Sequence, residues 1–227
     1  MSRIHTPLIL FLVVTACSQQ AVIQEDMMRI DGAMPVNLAG SWERDYARSD
    51  DVNAALREAF YQLSRTSPDR QFSGNPGLSQ PSSKDTAALL ALARLAELIT
   101  RPDVLTISQN ENEVHIARKD DFAMLCAFYD GVAKGTESRY GTEICGWDRD
   151  QLVSHLVLPD GLQVTHRFTI SADGNALRVV TTVSSSTSRM PFTLQRFYTK
   201  FERPTPDYKC IETLSMKRVC STGELVL

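Results

Sequence analysis

A basic field is missing from this chain. Its 24 lysines and arginines against 27 aspartates and glutamates leave a formal net charge of −3, which offers no electrostatic footprint for nucleic acid. No apolar run approaches the roughly 20 residues that a helix needs to cross a bilayer. There is no CxxC pair and no histidine run beside a cysteine, so the spacing of a zinc site is lacking. A phosphate loop, a dinucleotide fingerprint and a Gly-x-Ser-x-Gly elbow are absent as well. Without that elbow the tract Ser184-Ser185-Ser186-Thr187-Ser188 reads as a polar loop between strands. The carboxylates are scattered over turns and helix starts: Asp50 and Asp51 serve a helix N-terminus, and Asp148 and Asp150 serve a turn. Nothing in this set argues for an enzyme, a metal or a cofactor. What is present is a composition of 43% hydrophobic and 22% charged residues, ordinary for a folded globular protein.

The strongest positive signal stands at the start. Arg3, with His5, supplies a basic n-region, Leu8 to Val14 is an apolar stretch, and the small residues Thr15-Ala16 precede Cys17. That is the three-part layout of a secretory leader. Val14-Thr15-Ala16-Cys17 resembles the lipobox of bacterial lipoproteins. The resemblance implies cleavage before Cys17, a leader of residues 1–16 and acyl chains on the new N-terminal cysteine. Several acyl chains on one residue meet the two-signal requirement for stable anchoring. Ser18 resembles the sorting residue of outer-membrane lipoproteins, which implies an outer-membrane anchor facing the periplasm.

Cleavage leaves about 210 residues, enough for one domain with a substantial core. Apart from Cys17, the cysteines are Cys126, Cys145, Cys210 and Cys220. Four cysteines in an exported chain suggest two disulfides with three connectivities, and the local pairing Cys126–Cys145 and Cys210–Cys220 is the expected one. For the first pair, a regular hairpin with Tyr129 opposite Thr142 would bring the two cysteines together.

Residues 17–38 read as the lipidated cysteine and a tether, 39–203 as the folded domain, and 204–227 as a cysteine-containing tail. Gly40 to Asp45 is a strand candidate. Ser49-Asp50-Asp51 then opens a helix with an N-cap and an acidic first turn, and Val52, Ala55, Leu56, Ala59, Phe60 and Leu63 form its apolar face. The stretch from Ser64 to Pro81 reads as a loop. Ser82 to Asp85 caps a second helix with Leu89, Leu92, Leu95, Ala96 and Ile99 inward, stopped at Arg101-Pro102. From Val104 onward the apolar period is two. Turns at Asn110–Asn112, Asp148–Asp150, Asp160-Gly161 and Asp173–Asn175 separate successive strands. The expected architecture is mainly β: an antiparallel barrel or strongly curved sheet, with two helices inserted after the first strand.

Gly40-Ser41-Trp42 resembles the Gly-x-Trp opening of lipocalins. Their arginine on the last strand implies a stack of Arg196 over Trp42, read as barrel closure or as a cavity wall. Roughly residues 39–203 resemble a group of proteobacterial lipoproteins with lipocalin-like barrels. The resembling pieces are Gly40 to Asp45 with Ser49-Asp50-Asp51, Trp147 to Val153, Val164 to Gly174 and Thr193 to Tyr198. The resemblance implies a fold and an envelope location, with no activity attached.

A two-residue loop at Asp160-Gly161 would set Val157 opposite Val164 and His155 opposite His166. Val153, His155, Val157, Leu162, Val164, His166 and Phe168 would then share one face. Two imidazoles side by side on an apolar face suit a metal or a pH switch; hydrogen-bonded core histidines are the plainer reading. Three functional classes follow. The first is a non-enzymatic module holding a small apolar or amphipathic ligand in the barrel, with His155, His166, Trp42 and Arg196 as candidate cavity residues. The second is an envelope interaction protein with a filled barrel. The third is an enzyme acting on lipid or cell-wall material.

Overall fold

The computed structural model describes residues 36–66, 81–118, 123–129, 132–133, 135–138, 141–202, 208–211 and 219–222. Cys17 and nearly all of the residues expected to form a leader and a tether lie outside the described residues.

The chain runs β1 (Gly40–Asp45), α1 (Val52–Arg65), α2 (Ser83–Ile99), β2 (Val104–Gln109), β3 (Glu113–Arg118), β4 (Met124–Tyr129), β5 (Val132–Ala133) and β6 (Thr136–Ser138). It continues as β7 (Gly141–Asp148), β8 (Gln151–Val157), β9 (Leu162–Ile170), β10 (Ala176–Ser185), β11 (Phe192–Phe201), β12 (Tyr208–Ile211) and β13 (Val219–Thr222). The first eleven strands make one antiparallel sheet in the order β5-β4-β3-β2-β1-β11-β10-β9-β8-β7-β6. Because β1 pairs with both β2 and β11, the start and end of the barrel sequence meet in its middle. The free ends of the sheet curl toward each other, and the Cys126–Cys145 disulfide joins β4 to β7 across the gap. The result, among the described residues, is a nearly closed barrel with two helices.

Local chemistry accounts for the helices. The Asp51 side chain caps α1 by accepting from Ala54 N at 2.8 Å. Ser82 caps α2, accepting from Asp85 N at 3.1 Å while its hydroxyl donates to the Asp85 carboxylate. The acidic first turn expected for α1 is not formed. Asp50 reaches instead across to β11, where its carboxylate accepts from Gln195 N at 2.8 Å. The helices lie over one end of the barrel. There Leu63, Leu89, Leu92, Ala93 and Ala96 pack against Val164, Val183, Phe192 and Leu194. A second apolar cluster, with Trp42, Ile116, Leu152, Phe168, Leu177 and Tyr198, fills the other end.

The disulfide pairing agrees with expectation, but the hairpin geometry behind it does not. Tyr129 pairs with Val132 and Thr142 with Glu137, so two short strands intervene between β4 and β7. In the tail, the β12–β13 register sets Cys210 opposite Cys220.

Candidate binding site

The β8–β9 hairpin turns through three residues, not two. Leu158 N donates to Leu162 O at 2.8 Å and Gly161 N to Leu158 O at 3.0 Å. Gly161 sits at φ 73°, the left-handed position that a three-residue hairpin loop requires. Compared with a two-residue loop, the register slips by one, and such a slip turns one strand over relative to the other. His155 is therefore opposite Thr165, and Ser154 is opposite His166. The expected histidine pair does not form. His155 is half-buried and shares a 2.8 Å hydrogen bond with Thr165 Oγ1. His166 faces the interior and shares a 2.9 Å bond with Thr181 Oγ1 on β10.

Trp42 and Arg196 do not stack either. In the β1–β11 register Trp42 is opposite Lys200, and the Lys200 ammonium lies 5.5 Å from the indole centroid. Trp42 is fully buried and donates from Nε1 to Leu38 O at 3.1 Å. Arg196 is one residue pair further along the interior face than Tyr198, beyond the reach of that ring. Its Nε donates to Thr100 Oγ1 at 3.2 Å and its Nη1 to the carbonyl of Asp50.

The buried polar side chains among the described residues are Thr100, Ser154, His166, Thr181 and Arg196. Ser154, His166 and Thr181 stand opposite one another on β8, β9 and β10, Arg196 lies one residue pair along on β11, opposite Val179, and Thr100 reaches it from the end of α2. Together they form a polar layer between the two apolar clusters. Burial, reinforced by the Arg118 charge, pushes His166 down to about 3. Between that value and the unfolded value near 6.5, only the unfolded chain takes up the proton. Stability from this group is thus complete above pH 6.5 and declines by about 1.4 kcal/mol per unit below it. Between pH 7 and pH 5 urea titration is expected to lose about 2 kcal/mol more in the parent protein than in His166→Gln. Equal losses would refute a buried neutral imidazole.

The space beside this layer is about 20 Å³, room for a single water. Among the described residues this part of the interior is taken up by side chains and by the end of α2, as the filled-barrel alternative expects.

A much larger space lies outside. A cleft of about 700 Å³ opens where the end of β1, the start of α1 and the end of α2 converge. Arg44 and Tyr46 come from β1 and the turn after it, and Asp50, Asp51, Val52 and Asn53 from the entry to α1. Arg94, Glu97, Leu98 and Arg101 come from α2 and its exit, and Arg196 from β11. The Arg44 guanidinium lies over the Tyr46 ring at 4.7 Å, and the Tyr46 hydroxyl donates to Asp103. Arg44 meets Asp103 only at 3.7 Å, and its buried Nε has no hydrogen-bond partner. Reading the residues one by one missed Arg44, Arg94 and Arg101 as site residues. One signal was available: Arg94, Glu97 and Leu98 stand at i, i+3 and i+4, on one face of α2, which ends just before Arg101.

Among the described residues no three His, Cys, Asp or Glu side chains converge as a metal site would need. No helix among them is long and apolar enough to cross a membrane. Comparisons with family models, with curated proteins and with solved structures find no significant match to this chain.

Proposed function

We propose that this protein is a non-enzymatic binding module of the bacterial cell envelope, anchored in the outer membrane through lipid on Cys17, and that it holds a small amphipathic ligand in the cleft outside its barrel. The observation that carries the reading is the contrast in space: about 700 Å³ in the cleft against about 20 Å³ inside. Cavities of several hundred Å³ are the usual size for small-molecule sites. The lipobox-like tetrapeptide supports the anchor. A second reading, an outer wall that docks another envelope protein, is favoured by Leu125 and Ile144. They are 53% and 36% exposed beside the disulfide on β4 and β7.

Mass spectrometry of the protein isolated from its own host tests these parts together. The mature chain is expected to begin at Cys17 with added acyl mass, and Cys17→Ala to yield no lipidated form. An unmodified N-terminus elsewhere would overturn the anchor. Under native conditions a co-purifying small molecule, lost in Leu98→Glu, is the expected result for the cleft. A retained protein mass with an empty cleft would favour the second reading.

A further inference from the structure

The cleft is rich in arginine, and among the described residues only Arg44 of that set meets a carboxylate, Asp103 at 3.7 Å. Four arginines line it, with three carboxylates, those of Asp50, Asp51 and Glu97. Two of the carboxylates are already engaged by backbone amides, Asp50 by Gln195 N and Asp51 by Ala54 N. Arg94 and Arg101 make no salt bridge among the described residues. Arg196 is only 2% exposed, yet a hydroxyl and a carbonyl are its partners and no carboxylate pairs with it. Buried charges are ordinarily paired, so a guanidinium held this way while lining an open cleft is available to an anion. The buried, unpartnered Nε of Arg44 lies in the same wall. Val52 and Asn53, the first residues of α1, also line the cleft.

Beside the arginines the cleft has an apolar rim. Tyr46 and Leu98 are 64% and 63% exposed at the cleft, Tyr46 with its hydroxyl on Asp103 and its ring under the Arg44 guanidinium. Arginine forks suit the planar or tetrahedral oxygens of carboxylates and phosphates, and the rim suits a hydrocarbon stem.

We propose that Arg44, Arg94, Arg101 and Arg196 bind the oxyanion head of an amphipathic molecule, with Tyr46 and Leu98 flanking its apolar stem. This rests on the cleft being the ligand site and names the chemistry of the ligand. The same head and stem occur in a free alkyl phosphate and in an anionic lipid headgroup.

Calorimetric titration of residues 18–227, which include every described element, tests the assignment with hexyl phosphate, inorganic phosphate and hexyl glucoside. Hexyl phosphate is expected to bind at least tenfold tighter than either of the others and to weaken as salt rises. Arg101→Glu and Arg94→Glu, both on exposed positions, are expected to reduce its affinity tenfold or more with unchanged melting temperature. Leu98→Ser is expected to reduce hexyl phosphate binding and to leave inorganic phosphate as it was. Equal binding of hexyl glucoside, or binding untouched by the arginine reversals, would overturn the oxyanion assignment and leave the cleft reading standing. If no probe binds and no small molecule accompanies the native protein, both fall. Vesicles of phosphatidylcholine with and without phosphatidic acid separate the sources. Retention on the acidic vesicles alone, lost in Arg101→Glu, identifies a membrane headgroup, and its absence alongside hexyl phosphate binding identifies a free amphiphile. The net charge of −3 gives the whole protein no general attraction to an acidic surface.

Discussion

Trp42→Ala is expected to cost about 3–5 kcal/mol of stability, the range for removing a large aromatic from a packed core. Trp42 has no solvent exposure and sits in the cluster that fills the barrel end away from the helices. The loss has two parts. One is the void left by the indole, and the other is the Leu38 carbonyl, which loses the 3.1 Å donor from Nε1. For a domain of this size the corresponding drop in melting temperature is about 10 °C. The chain has two tryptophans, so in Trp42→Ala the buried Trp147 alone reports urea unfolding by fluorescence. A loss below about 1 kcal/mol would contradict the packing described.

Cys126→Ala is expected to destabilise the protein by about 3 kcal/mol, from the chain entropy released when a loop of this length is opened. The two cysteines are 19 positions apart in sequence. They are also buried in the apolar cluster, so the variant removes packing as well as a cross-link. The double variant Cys126→Ala/Cys145→Ala separates these effects from that of a stranded thiol. Hydrogen exchange adds a spatial test, because β4 and β7 share no ladder with each other. Amides of β4 and β7 are expected to lose protection first, while those of β9 and β10 keep theirs. Uniform loss across the sheet would mean that the disulfide does not close the gap.

Helices and most turns were legible in the chain because their causes are local. The cap at Ser82 and the apolar spacing from Val52 to Leu63 each depend on neighbours within a turn or two. The histidine register was misread because Asp160-Gly161 fits two loops. Pro159 was the discriminating residue: its fixed φ suits the first central position of a type I turn, after which Gly161 takes the left-handed position. One residue more in the loop sends His155 and His166 to different faces. The Cys126–Cys145 pairing followed from closeness in sequence, whereas the structure joins these residues across the seam of a sheet. Arg44, Arg94, Arg101 and Arg196 meet only because β1, α2 and β11 converge at the barrel end. No window along the sequence contains that fact.

The polar layer inside the barrel also indexes α2. An apolar helix resting on an apolar floor can slide, since Leu89, Leu92, Ala93 and Ala96 would find similar neighbours one turn, about 5.4 Å, further along. Thr100 removes that freedom. It closes the C-terminus of α2 and accepts from Arg196 Nε, so any axial step leaves a buried guanidinium donor without an acceptor, which costs more than a displaced methyl group. The layer works as a keyway: it admits the helix at one depth only, and by fixing that depth it sets where Arg94, Leu98 and Arg101 emerge at the cleft.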